Sequence, residues 1–94
     1  MTIPESVKIG GITYRIVYAS KVDDRDKYNG VIEYRSCEIR LRENVSEQRM
    51  KKVLLHEILH GIDDVANIGL TEQQTDAVAS GLYQVTVDNP GIFK

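Results

Sequence analysis

Val53-Leu54-Leu55-His56-Glu57-Ile58-Leu59-His60-Gly61-Ile62 is the stretch that decides how this chain folds and where its chemistry sits. It contains the only two histidines in the protein, four residues apart. On a helix, residues i and i+4 lie on one face, one turn apart. Two imidazoles so placed can grip one Zn²⁺, and the glutamate beside the first can reach a metal-bound water. The surrounding apolar positions, Met50, Val53, Leu54, Leu55, Ile58, Leu59, Ile62 and Val65, cover most of the helix circumference over residues 53–62, which predicts a helix buried on more than one side. Burying His56, Glu57 and His60 there without partners would cost several kcal/mol, so their polarity needs a reason.

The helix is predicted over residues 46–67. Ser46 is its N-cap, and Glu47 lies in the first turn, where negative charge suits the dipole. Asn67 to Leu70 is a short turn. Thr71 and Gln74 form a capping-box pair that opens a second helix over residues 71–88, stopped by Asn89-Pro90-Gly91. Residues 1–44 read as two β-hairpins. Val7 to Ile9 and Ile12 to Tyr18 flank Gly10-Gly11, with Ile12, Tyr14, Ile16 and Tyr18 alternating onto one face. Val31 to Tyr34 and Cys37 to Arg42 flank Arg35-Ser36, with Cys37, Ile39 and Leu41 facing inward. Residues 20–30 are a polar loop and the last residues a loose tail. The predicted fold is a single α+β domain: a small antiparallel sheet of two hairpins followed by two antiparallel helices, with the histidines on the first.

Composition narrows the function classes. The chain has 94 residues, enough for one domain, and its net charge of −2 (12 basic, 14 acidic residues) argues against nucleic acid or a membrane surface as partner. Arg35, Arg40, Arg42, Arg49, Lys51 and Lys52 form a local basic set, read as a solvated face. No apolar run approaches a membrane span, residues 1–11 lack the apolar core of a signal peptide, and the single cysteine, Cys37, has no intrachain partner. These features point to a cytoplasmic protein.

A catalytic zinc takes three protein ligands and leaves one position open. With no third histidine, the third ligand is expected to be a carboxylate: Asp63, Asp64, Glu72, Asp76 or Asp88. Asp64 is on the right face but about 12 Å along the axis from His56. If the second helix returns antiparallel, residues 76–80 climb level with the histidines, which favours Asp76, with Glu72 one turn lower as the alternative. The acid not used becomes an acceptor for a histidine N–H. Tyr83 and Tyr28 are candidate transition-state donors.

Leu54-Leu55-His56-Glu57-Ile58-Leu59-His60-Gly61, together with the segment Thr71 to Gln84 and the preceding hairpins, resembles the small metallo-endopeptidases of the ImmA/IrrE type within the gluzincin-like zinc proteases. In that family two motif histidines and a later glutamate hold zinc. The resemblance places those roles on His56, His60 and Asp76. An aspartate where a glutamate is usual shortens the reach by one methylene and keeps Glu72 in contention. It further implies a cytoplasmic protein or peptide substrate, and, because such proteins are frequent on phages and mobile elements, a repressor as one substrate class.

The expected activity is zinc-dependent peptide-bond hydrolysis with Glu57 as general base on a zinc-bound water. An extended substrate would pair with an edge strand, for which Cys37 to Arg42 is the expected element. The alternative from another class is a non-catalytic regulatory module that retains the fold. A purely structural metal would need a fourth protein ligand, for which Cys37 is the only thiol.

Overall fold

The computed structural model describes residues 2–22 and 28–92. Part of the expected loop at 20–30, and the last two residues of the expected tail, lie outside them.

Strands β1 (Ser6–Ile9) and β2 (Ile12–Ala19) form the first hairpin. Gly10 and Gly11 both take positive φ, 57° and 85°, the backbone that a two-residue type I′ turn demands. Strands β3 (Gly30–Glu33) and β4 (Glu38–Arg42) form the second. Cys37 precedes β4 at φ 55°, so it belongs to the turn rather than to the strand.

The sheet order is β1-β2-β4-β3, and β2 pairs with β4 in parallel. The sheet is therefore mixed, not purely antiparallel as expected from two hairpins. Period-2 alternation fixes which face a side chain takes, not which strand lies alongside. The second hairpin docks through its later strand, which makes β4 interior and leaves β1 and β3 as the edges. The Cys37–Arg42 segment thus has no free edge for a peptide; β3 has one.

Helix α1 (Glu47–Ala66) packs on β1, β3 and β4, and among the described elements helix α2 (Glu72–Asp88) packs only on α1. The core between sheet and α1 is Ile9, Tyr14, Ile32, Ile39, Leu41 and Leu54, with Val7, Ile16, Cys37, Val53 and Ile58 against it. Ile12 and Tyr18, at the ends of the β2 alternation, are exposed. Gly61 lets α1 lie close on the sheet, since a Cβ there would stand 2.8 Å from Ile9 Cδ1 and 3.2 Å from Ile32 Cδ1. Burial of α1 is strongest at Leu54, Glu57 and Gly61, while Ile62 and Val65 are exposed, so its far end is covered on one side less than the apolar pattern predicts.

Both helix starts follow their sequence signals. Ser46 Oγ accepts from Arg49 N–H, and Thr71 and Gln74 exchange both bonds of a capping box. Between the helices, Asn67 takes a left-handed cap and the Asp63 carboxylate accepts from the backbone N–H groups of Gly69 (2.7 Å) and Leu70 (3.2 Å). That clasp ties the return loop to the last turns of α1. Among the described residues no helix is long and apolar enough to cross a membrane.

Candidate metal centre

α1 presents His56 and His60 on one face, with ring centroids 4.7 Å apart and nearly edge to face. Their Nε2 atoms lie 3.1 Å from each other. α2 brings Glu72 across: Oε1 is 2.6 Å from His56 Nε2, and Oε2 is 3.1 Å from His60 Nε2. Three donor groups from two helices thus form a triangle, two imidazole nitrogens and a carboxylate that meets each of them through a different oxygen, with contacts of 2.6 to 3.1 Å. Ligands at about 2.05 Å in a tetrahedron are separated by about 3.3 Å, so a small outward relaxation fits this triangle to zinc. Imidazole nitrogen and carboxylate oxygen are also the donor types that suit it.

Asp76 sits on the other side of the first imidazole, with Oδ1 3.5 Å from His56 Nδ1. Its carboxylate faces the ring nitrogen that points away from the triangle. Of the two acids weighed from the sequence, Glu72 reaches both Nε2 atoms and Asp76 reaches the back of one ring. Asp63 is occupied with the return loop. Asp88 accepts from Gln84 at the far end of α2.

Glu57 points from α1 toward the sheet side of the site and is only 7 % exposed. Its carboxylate joins His56 and His60 in one cluster, with potential ligand atoms within 4.8 Å of one another. Burial pushes its carboxyl up from the usual 4.5 to about 7; the nearby Glu72 carboxylate adds to the rise, while the His56 imidazole and a hydrogen bond from the Ile32 backbone oppose it. The Ile32 bond follows from strand register. Asn29 C=O accepts from Arg42 N–H, and Gly30 and Ile32 are the alternate partners of Leu41 and Ile39. Gly30 and Ile32 therefore turn their backbone groups away from β4, along the open edge. A carboxyl poised near neutrality is suited to both taking and returning a proton at neutral pH.

β3 runs beside α1 in the same direction. Gly30 lies against Val53, Ile32 against Gly61 and Glu57, and Tyr34 Oη donates to His60 C=O at 3.2 Å. Tyr34 is held in turn by an edge-to-face contact with buried Tyr14. Neither the Ile32 backbone nor Tyr34 was identifiable from residue type; the signal for them is strand order, which the sequence pattern does not carry.

A cleft of about 780 Å³ opens along this edge, lined by the start of β3, the first half of α1 and the facing side of α2. His56, Glu57, Glu72 and Asp76 line one end. Tyr28 and Tyr83 line it as well. Tyr83 is eleven residues beyond Glu72, about 16 Å along α2, which places it toward the opposite end of the cleft. Cys37 lies elsewhere, its Sγ 3.6 Å from Tyr34 C=O. Comparison of the chain with protein-family models, with curated proteins and with solved structures finds no match in any of the three.

Proposed function

We propose that this protein is a zinc-dependent endopeptidase with His56, His60 and Glu72 as metal ligands and Glu57 as general base. The observation that carries the reading is the convergence of two Nε2 atoms and the Glu72 carboxylate beside a buried carboxyl poised near 7. Asp76 is assigned to orient His56 through Nδ1, the usual partner of a metal-binding imidazole. Bound zinc supplies Lewis acidity, lowering the pKa of a water and polarising the scissile carbonyl. Glu57 takes the proton of the attacking water and delivers it to the departing amine.

An extended peptide finds the backbone groups of Gly30 and the Ile32 carbonyl along the β3 edge, the Ile32 N–H being engaged by Glu57, which favours main-chain pairing there. Tyr83 and Tyr28 form walls of the cleft under this reading, and Tyr83 stands too far along α2 to donate to the reacting carbonyl. A purely structural metal is disfavoured by the lack of a fourth ligand: among the described residues no thiol approaches the triangle. The fitting setting is the cytoplasm, with a protein substrate such as a repressor.

The test is Glu57→Gln in the zinc-loaded protein. One equivalent of zinc retained with proteolysis abolished is the expected result. Wild-type protein that takes up no stoichiometric zinc would overturn the reading, and unchanged biological activity of Glu57→Gln would favour the regulatory module.

A further inference from the structure

Among the described residues several basic side chains are engaged, while Lys8, Lys21 and Arg35 have no ion pair and lie away from the cleft lining. Arg15 and Arg40 pair with Glu38, Lys51 pairs with Glu47, and Arg42 donates to the carbonyls of Tyr28 and Ser20. Arg49 and Lys52 are unpaired as well: among the described residues no acid stands within ion-pair distance of either, and they are the basic side chains of the cleft lining. Both also share the helical face of His56, Arg49 seven and Lys52 four residues before it, about 10 and 6 Å along α1. The acids of the opposite wall, Glu72 and Asp76, are turned to the imidazoles rather than to this pair. Ala79 and Ser80 across the cleft are small and leave room for a side chain between the helices.

We propose that Arg49 and Lys52 form a specificity subsite for an acidic residue of the substrate, two or three positions from the scissile bond. The inference rests on the endopeptidase reading and names its substrate class. An extended chain advances about 3.3 Å per residue, so about 6 to 10 Å from His56 corresponds to two or three residues. A guanidinium and an ammonium on one helix face offer a carboxylate a forked donor and a point charge together. Two partly exposed ion pairs together favour Asp or Glu at the subsite roughly tenfold over a neutral residue.

The experiment digests a library of proteome-derived peptides with zinc-loaded full-length protein and sequences the cut sites by mass spectrometry. Glu57→Gln defines background. Arg49→Gln/Lys52→Gln and Arg49→Glu/Lys52→Glu are run beside the wild type, with zinc content confirming that each is folded. Expected is a roughly tenfold enrichment of Asp and Glu two or three residues from the cut, on one side, lost in the first variant and inverted toward Lys and Arg in the second. Glu57-dependent cleavage without that enrichment, or with enrichment unchanged in both variants, overturns the subsite and leaves the endopeptidase standing. Absence of any Glu57-dependent cleavage overturns the endopeptidase, and the subsite with it.

Discussion

Replacing Glu72 by alanine separates the two acids that face the histidines. The Glu72 carboxylate touches both Nε2 atoms, at 2.6 and 3.1 Å, so under the proposed assignment its removal takes away one of three protein ligands. Structural zinc sites bind with ~10–16 kcal/mol shared among four ligands, so one ligand is worth about 3 kcal/mol, or about a hundredfold in Kd. Asp76 faces only Nδ1 of His56 at 3.5 Å, and losing a partner of that kind costs about tenfold. Zinc at a hundred times the wild-type Kd stabilises the wild type by about 2.7 kcal/mol through mass action; Glu72→Ala would retain about 0.4 kcal/mol and Asp76→Asn about 1.4 kcal/mol at the same zinc. In a domain of this size each kcal/mol moves Tm by ~4–8 °C, so the zinc-induced shifts are about 11–22 °C, 2–3 °C and 6–11 °C in that order. Thermal unfolding with and without zinc, backed by competition with a chelator of known affinity, measures them. If Asp76→Asn loses more zinc stabilisation than Glu72→Ala, the ligand assignment is refuted.

In chelator-treated protein, the raised carboxyl of Glu57 makes the folded state hold a proton that the unfolded state releases near 4.5. The corresponding stability is fully present below about 4.5 and is lost as pH rises through about 7. Wild type should therefore lose about 3 kcal/mol relative to Glu57→Gln between those limits, read from paired urea titrations; parallel curves would refute the shift. Gly61→Ala gains ~1 kcal/mol of helix propensity but crowds Ile9 and Ile32, an overpacking cost of ~1–3 kcal/mol. A net loss of about 1 kcal/mol in urea unfolding is expected from those two terms, and a gain would show that Ile9 yields freely. Asp63→Ala strips the acceptor from Gly69 and Leu70 and should cost about 1–2 kcal/mol. It should also weaken zinc binding, although Asp63 touches no ligand; unaltered zinc affinity would show that α2 is held by its helix contact alone.

Local signals carried much of this fold. The Gly10-Gly11 turn, the Ser46 and Thr71 caps and the stop after Asp88 are each set by residues close in sequence, and each forms where its chemistry directs. Neighbour relations in the sheet are a different matter. Nothing in the alternation of Ile39 and Leu41 distinguishes an interior strand from an edge, because both put the same side chains on the core. What decides it is the parallel pairing of β2 with β4, Arg15 to Ala19 against Glu38 to Arg42. Consequently the edge available to a peptide, and the backbone donor to Glu57, belong to β3 rather than to the strand that looked more regular.

The choice between Glu72 and Asp76 turns on a similar gap between local and tertiary information, and one side chain accounts for it. Counting rise alone, α2 starts level with the end of α1 at residue 66 and needs about six residues to regain the height of His60. Asp63 removes most of that climb. By accepting from Gly69 and Leu70 N–H it holds the return loop level with residue 63, only three residues, or about 4.5 Å, from His60. Thr71 then caps α2 immediately, and Glu72, in its first turn, arrives at the imidazoles with its full length. Asp76, one turn further on, has already passed the Nε2 atoms and meets His56 from behind. Sequence did carry a signal for this: an acid near a helix end, followed six residues later by a glycine that takes positive φ, is positioned to clasp the loop that follows. Its consequence for the site appears only when the clasp is converted into height along the helix. Which acid meets both Nε2 atoms is thus set by Asp63, a residue engaged with the return loop instead.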